Sequence, residues 1–294
     1  MKSWIRAARL RTLPLALASI GMGSFLAHAY HSFDFQIFAL SLLTTLLLQI
    51  LSNLANDYGD AIHGADSADR KGPSRAVQSG EITRGQMRTA IFIFAFLSLL
   101  SGSYLLYVSD LSKSTLYIFL TLGLLSILAA VLYTNGKLPY GYVGLGDFFV
   151  FLFFGIVGVL GVFYLQVKTM HWDVWLPAAS CGLFTVAVLN INNIRDIDSD
   201  KLAGKFSIPV RLGLRRARIY HVSLLGLGLL LSIIYVVLNF NSPTQFLFLL
   251  VVPLLFANAK SVSTKPKEEL DPFLKQMAIT NLVFVLTFGL SIIL

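Results

Sequence analysis

Long apolar runs constrain this chain more than any other feature. Segments of about 17–24 residues with hardly a charge recur from end to end. About 20 such residues, rising 1.5 Å each, cross the roughly 30 Å hydrocarbon core of a bilayer. A run of that length in lipid must satisfy its own backbone hydrogen bonds, so only a helix is open to it. Nine spans are expected, roughly 13–30, 36–57, 87–108, 114–134, 143–165, 173–194, 217–238, 243–259 and 274–294. The fold class that follows is all-α: a polytopic bundle of nine transmembrane helices, one domain over residues 1–294, with the lipid bilayer as its surroundings. Composition agrees. Charged residues make up 13 % of the chain, about half the share of a soluble domain, and mean hydropathy is +0.74.

The net charge of +8 does not point to nucleic acid, because the basic residues sit between apolar runs, where membrane topology requires them. The N-terminus and the loops after spans two, four, six and eight hold every Lys and Arg except Lys113 and Lys168. The positive-inside rule then expects a multi-pass protein of the cytoplasmic (inner) membrane, with the N-terminus inside and Leu294 outside. A rival reading takes the basic start, the first apolar run and Ala27-His28-Ala29 as a cleaved signal peptide; the run is long for that. Cys181 is the single cysteine, which rules out an internal disulfide and argues against a CxxC metal site.

Two polar stretches interrupt the hydrocarbon. In the first, Gln49, Asn53, Asn56, Asp57 and Asp60 fall within about 100° of one another on a helix. In the second, Asn190, Asn193, Asp196 and Asp200 share an arc of about 120°, while Arg195 and Asp198 point elsewhere. Both close a span on the expected cytoplasmic side, and the shared Asn-x-x-Asn approach hints at a weak parallel repeat. Carboxylates at the edge of a bilayer generally face a cavity and have a partner. Four converging on one cavity repel unless cations lie between them or some are protonated. Hard divalent cations suit oxygen ligands, and Mg²⁺ commonly combines carboxylates with substrate phosphate oxygens and water. Asp57, Asp60, Asp196 and Asp200 are the expected metal-holding and catalytic acids. Arg75, Lys137, Lys201 and Lys205 in the adjoining loops can meet phosphate directly. A diphosphate on a lipid tail fits a polar mouth above apolar helices, and no GxxxxGK[ST] nucleotide loop occurs.

Asn56-Asp57-x-x-Asp60 followed by Arg75-x-x-x-Ser79-Gly80 resembles the first motif of the UbiA-type intramembrane prenyltransferases. Asp196-x-x-x-Asp200-x-x-x-Gly204-Lys205 with Ile208-Pro209-Val210-Arg211-Leu212-Gly213 resembles the second. The resemblance implies prenyl transfer from a polyprenyl diphosphate to an aromatic acceptor with two Mg²⁺. It is closer to the members acting on 1,4-dihydroxy-2-naphthoate on the way to demethylmenaquinone, through Arg9-x-Arg11-Thr12-Leu13-Pro14, Asn53-x-x-Asn56-Asp57-Tyr58-Gly59-Asp60 and the run from Tyr133 to Asp147. Those stretches add Asn53, Asn56, Tyr133 and Tyr140 as expected substrate-binding residues, and the second polar stretch adds Asn190 and Asn193. One departure concerns the first motif: Gly64 stands where a third acid often follows, and Asp66 and Asp69 come next.

Other readings carry less. The histidines are scattered without metal spacing, and only His63 lies near a stripe. The Phe- and Gly-rich run 148–163 serves packing or lines a prenyl channel. An ion-coupled transporter would place its polar groups near the midplane on broken helices, whereas both stripes here sit at one face. Among enzymes the alternative acceptors are 4-hydroxybenzoate and homogentisate.

Overall fold

The computed structural model describes residues 2–63 and 75–294. Gly64, Asp66 and Asp69 of the sequence reading lie outside the described residues. Among those described, nine helices are long and apolar enough to cross a membrane: Lys2–Ala29, Phe35–His63, Arg84–Val108, Lys113–Leu132, Gly146–Val167, Trp175–Arg195, Ile208–Leu238, Pro243–Thr264 and Asp271–Ile293, numbered here spans 1 to 9. The expected count holds, and the helices run further into the polar ends than hydropathy alone indicates. Span 2 continues to His63 and span 7 begins at Ile208, because a helix that leaves the hydrocarbon keeps its hydrogen bonds while its residues become polar.

Spans 1, 5, 6, 7, 8 and 9 form the main core. Phe163, Phe184, Phe284 and Phe288, all fully buried, pack there with Cys181. Phe184 meets Phe284 edge-on at 4.9 Å between centroids, the arrangement aromatic quadrupoles prefer. Smaller apolar clusters join span 2 to the turn after Arg75, through Leu54, Ala76, Ile82 and Met87, and to the far ends of spans 3 and 5, through Ile37, Leu105, Leu106 and Leu165.

Span 5 departs from α-geometry. Phe151–Leu160 is wound as a π-helix, a rare form that widens the turn and frees carbonyls. The Ser19 hydroxyl of span 1 donates to the Phe154 carbonyl at 2.5 Å. Close packing permits the distortion: a Cβ on Gly155 would lie 2.7 Å from the Gly182 Cα of span 6. Span 4 meets span 5 near one end, where Phe119 stacks on Tyr164 at 5.7 Å, and at its other end Ala129 accepts from the Tyr140 hydroxyl of the following loop at 2.7 Å. A cavity lined mainly by spans 1 to 6 runs along the bundle.

Candidate active site

The cavity holds about 360 Å³, within the usual range for small-molecule sites of about 300–1,000 Å³. At one end it is lined by Arg9, Asn53, Asp60, Arg75, Asn193 and Lys205. Its other reaches are mostly hydrocarbon, from Leu99, Phe119 and Ile127 to Phe149, Phe153 and Leu165.

The first stripe arrives on one unbroken helix, and the pitch decides where each group points. Gln49, Asn53, Asn56 and Asp60 line the cavity. Asp57, at the edge of the expected arc, turns aside and accepts from the backbone amides of Ala76 and Val77 at 3.1 and 3.3 Å. Its carboxylate therefore caps the turn that follows Arg75. Asp60, buried, pairs with Arg75 at 2.6 Å and accepts from the Tyr142 hydroxyl at 2.9 Å.

The second stripe is not continuous. Span 6 ends at Arg195, Asp196 leaves helical geometry at φ −94°, ψ 12°, and a separate short helix, Ile197–Leu202, follows. The expected common arc from Asn190 to Asp200 is corrected accordingly, since a helical wheel cannot be carried across a break. Arg195, expected to point away, instead folds onto Asp196 with two bonds of 2.8 Å. It also reaches Asp271, which in turn takes Arg11 at 2.9 Å. Asp198 is exposed and pairs with Lys267. Asp200 is buried against Lys205 at 3.3 Å, and its second oxygen finds no hydrogen-bond partner among the described residues.

Two loops bring these ends together. The span 4–5 loop is fixed to span 2: Thr134 and Asn135 both donate to the Ala55 carbonyl, at 3.1 and 2.9 Å. The fit leaves no room at Gly59, where a Cβ would lie 2.4 Å from the Thr134 hydroxyl. The same loop grips the one after Asp200, as the Phe206 amide donates to the Tyr142 carbonyl at 2.8 Å. Gly144 sits between them at φ 81°, and a side chain there would strike Phe206 O at 2.8 Å; both the left-handed backbone and the contact demand glycine.

The result is an alternation of charge: Arg75, Asp60, Lys205 and Asp200, with Tyr142 donating to Asp60 and its ring 5.9 Å below the Lys205 ammonium. Burial raises the Asp200 carboxyl above the usual carboxylate range; Lys205 opposes this, and the charges of Asp196 and Asp60 add to it. Burial alone would lower the Lys205 ammonium, but Asp200 and Asp60 carry it above the ordinary lysine value. Such carboxylates gain from an added cation. The donor set fits Mg²⁺: Asp60 and Asp200 supply oxygens from two elements, one of them unpartnered, and Asp196 lies close by. Among the described residues no three acidic, His or Cys side chains stand close enough to hold a metal by themselves.

The remaining expected residues divide. Tyr133 and Tyr140 line the cavity, their rings edge-to-face at 5.3 Å, and burial pushes the Tyr133 phenol up to about 12. Asn193 lines it too, its side-chain oxygen buried and unpartnered among the described residues. Asn190 faces span 7 instead, donating to the Ala217 carbonyl at 3.2 Å. Lys137 and Lys201 are exposed. His63 bonds the Gly59 carbonyl at 2.9 Å and packs its ring, tilted by 54°, against Tyr142. Sequence reasoning missed Arg9 as a cavity group and Tyr142 as the hydrogen-bond donor to Asp60, although both stand in stretches that carry the family likeness.

The UbiA prenyltransferase family model matches residues 16–282. The 1,4-dihydroxy-2-naphthoate octaprenyltransferase of Escherichia coli is 45 % identical over 99 % of this chain and 96 % of its own. That of Haemophilus influenzae is 43 % identical over 100 % and 96 %. Among solved structures, the apo UbiA homolog of Aeropyrum pernix superposes with a TM-score of 0.69 at 18 % identity, covering 96 % of each chain. The Archaeoglobus fulgidus homolog bound to GPP and Mg²⁺ gives 0.63 at 16 %, covering 99 % of each. With a family match across most of its length and relatives above 40 % identity over nearly all of it, the chain belongs to the UbiA prenyltransferase family.

Proposed function

We propose that this protein transfers the polyprenyl group of a polyprenyl diphosphate to 1,4-dihydroxy-2-naphthoate, releasing diphosphate and CO₂. The observation that carries this reading is one cavity joining a buried charged end to a hydrocarbon gallery, in a chain 43–45 % identical to naphthoate octaprenyltransferases. The diphosphate belongs at the charged end, where Arg75 and Lys205 offer cationic hydrogen bonds. Asp60 and Asp200, with Asp57 and Asp196 behind them, are the groups that would hold Mg²⁺, two ions in this reading. Bound there, Mg²⁺ supplies positive charge to the leaving diphosphate.

The chain's own part is placement and shelter. The gallery holds the tail so that the allylic C1 lies beside the aromatic acceptor, converting a bimolecular encounter into an oriented one. As the C1–O bond breaks, the electron pair leaves with diphosphate, and Arg75 and Lys205 are fixed to receive that charge without reorganising. The carboxyl-bearing ring carbon forms the new bond to C1. Loss of CO₂ returns its electron pair to the ring, giving the prenylated hydroquinone whose oxidised form is demethylmenaquinone. Apolar walls keep water from the cationic carbon.

The test is a product analysis of purified protein in detergent, supplied with Mg²⁺, polyprenyl diphosphates and a panel of aromatic acids. Prenylated naphthol and CO₂ in a one-to-one ratio is the expected result. A product that keeps its carboxylate would favour 4-hydroxybenzoate, and no product with any acceptor would return the transporter reading. The charged end is proposed to face the cytoplasm. In a Cys181→Ser background, a cysteine at exposed Thr264 should then react with an impermeant thiol reagent only in opened cells, and one at exposed Ser112 in intact cells; the reverse pattern would overturn the orientation.

A further inference from the structure

Arg195 closes span 6 with its guanidinium almost wholly spent, and the way it is spent fixes a neighbour. The residue is 2 % exposed. It donates twice to Asp196, at 2.8 Å each, and once to Asp271 at the start of span 9. A fourth bond goes one turn back along its own helix, to Asn192 Oδ1 at 2.9 Å. Asp271 is held in turn from span 1, where Arg11 donates to it at 3.0 and 2.9 Å. Two arginines thus meet two aspartates, and the buried cation is compensated.

The bond to Asn192 decides which way that amide faces. A guanidinium only donates, so the atom it meets must be the amide oxygen, and the NH₂ group takes the other branch. Asn192 lines the cavity. Its Nδ2 makes no hydrogen bond among the described residues, yet it is not sealed away as the unpartnered Oδ1 of Asn193 is. The open space that Asn192 borders is the cavity. A cation on the amide oxygen also polarises the group and strengthens its N–H donors.

The structure assigns Asn192 as a substrate-contacting residue: its amide nitrogen donates to an anionic oxygen of a bound substrate, and Arg195, anchored by Asp271, is the positioning residue that turns and polarises the amide. Two substrates of the prenyl-transfer reading bring such an oxygen, the diphosphate and the carboxylate of the naphthoate, and the chemistry of the contact is the same for both. The inference rests on that reading and adds to it a donor outside both polar stripes. An Asn192 that served only to complete the bonds of Arg195 would matter for stability and not for affinity.

The experiment replaces Asn192 with leucine, of similar size, and with alanine; either variant suffices if the other does not fold. Binding is read by calorimetric titration in detergent with two probes used separately: farnesyl thiodiphosphate with Mg²⁺, and 1-hydroxy-2-naphthoate without any diphosphate. One probe should bind at least about tenfold more weakly, equivalent to about 1.4 kcal/mol, with the other within about twofold of wild type. A loss confined to the thiodiphosphate gives the contact to the diphosphate, and one confined to the naphthoate gives it to the acceptor carboxylate. Arg195→Lys should reproduce part of the same loss alone and add little to it in the Asn192→Ala background, because a residue acting through the amide has nothing to position once the amide is gone. Neither probe weakened, both weakened alike, or full additivity of Arg195→Lys with Asn192→Ala would overturn the proposal. Protein whose probe binding depends on Asn192 in this way but which prenylates no naphthoate would keep the contact and refute the prenyl-transfer reading.

Discussion

The two acidic stretches carry the same letters and do different things with them. Span 2 delivers Asp57 and Asp60 on an uninterrupted helix, Phe35–His63. Two acids three residues apart are about 60° from one another on a helix, and that angle sends Asp60 to the cavity and Asp57 to the amides of Ala76 and Val77. Span 6 stops at Arg195, so Asp196 and Asp200 belong to different pieces of backbone. The break turns Asp198 out to Lys267 and Asp200 in to Lys205. Each stretch thus offers one carboxylate to the shared centre and keeps a second tied to its own scaffold: Asp57 to a turn, Asp196 to Arg195. Spacings of three and four residues produced a similar outcome through unlike geometry, and the tied acids give the centre its rigidity.

The comparison breaks most sharply on metal. Chelation with EDTA should abolish turnover and added Mg²⁺ or Mn²⁺ restore it; full activity in chelator would leave both stretches as ion-pair scaffolds only. Next in size are the two inward acids. Asp60→Asn and Asp200→Asn should each lower kcat/KM at least about 100-fold, or about 2.7 kcal/mol. Asp198→Asn, on the exposed pair with Lys267, should stay within about twofold of wild type. Comparable losses at Asp198 and Asp200 would mean the break at Asp196 is wrongly described.

A smaller effect is expected where the loop touches the first stretch. Tyr142→Phe removes a hydrogen bond to the buried Asp60 carboxylate, worth about 1.5–3 kcal/mol for a charged acceptor. Activity should fall about tenfold or more with the diphosphate KM raised, while Tyr142→Phe and wild type keep the same elution profile in detergent. An unchanged KM would separate Asp60 from diphosphate handling. Smallest is Tyr140→Ala. Its hydroxyl is spent on Ala129 and only its ring, tilted against Phe149 at 4.2 Å, faces the cavity. An aromatic contact of about 0.5–1.5 kcal/mol should be lost, seen as a severalfold rise in the naphthoate KM with the diphosphate KM unmoved. A larger loss in the diphosphate KM would reassign that wall of the cavity to the tail.

The sequence by itself determined the nine helices, because a bilayer accepts only segments that satisfy their own backbone, and length with hydropathy reports that directly. It determined equally that Gln49, Asn53, Asn56 and Asp60 share a face, since helical pitch is a local property that holds as long as the helix does. What failed to be legible were events with no local cause. The break at Asp196, the fold of Arg195 onto its neighbour and its tie to Asp271 depend on span 9 arriving beside span 6. The turn of Asp57 depends on where residues 76 and 77 return, and the place of Tyr142 on two loops locking at Gly144. Charge pairing across elements is decided by which ends meet in the folded bundle. The tertiary structure alone chose that, of four similar carboxylates, Asp60 lines the cavity, Asp200 meets it through Lys205, and the other two hold the site in shape.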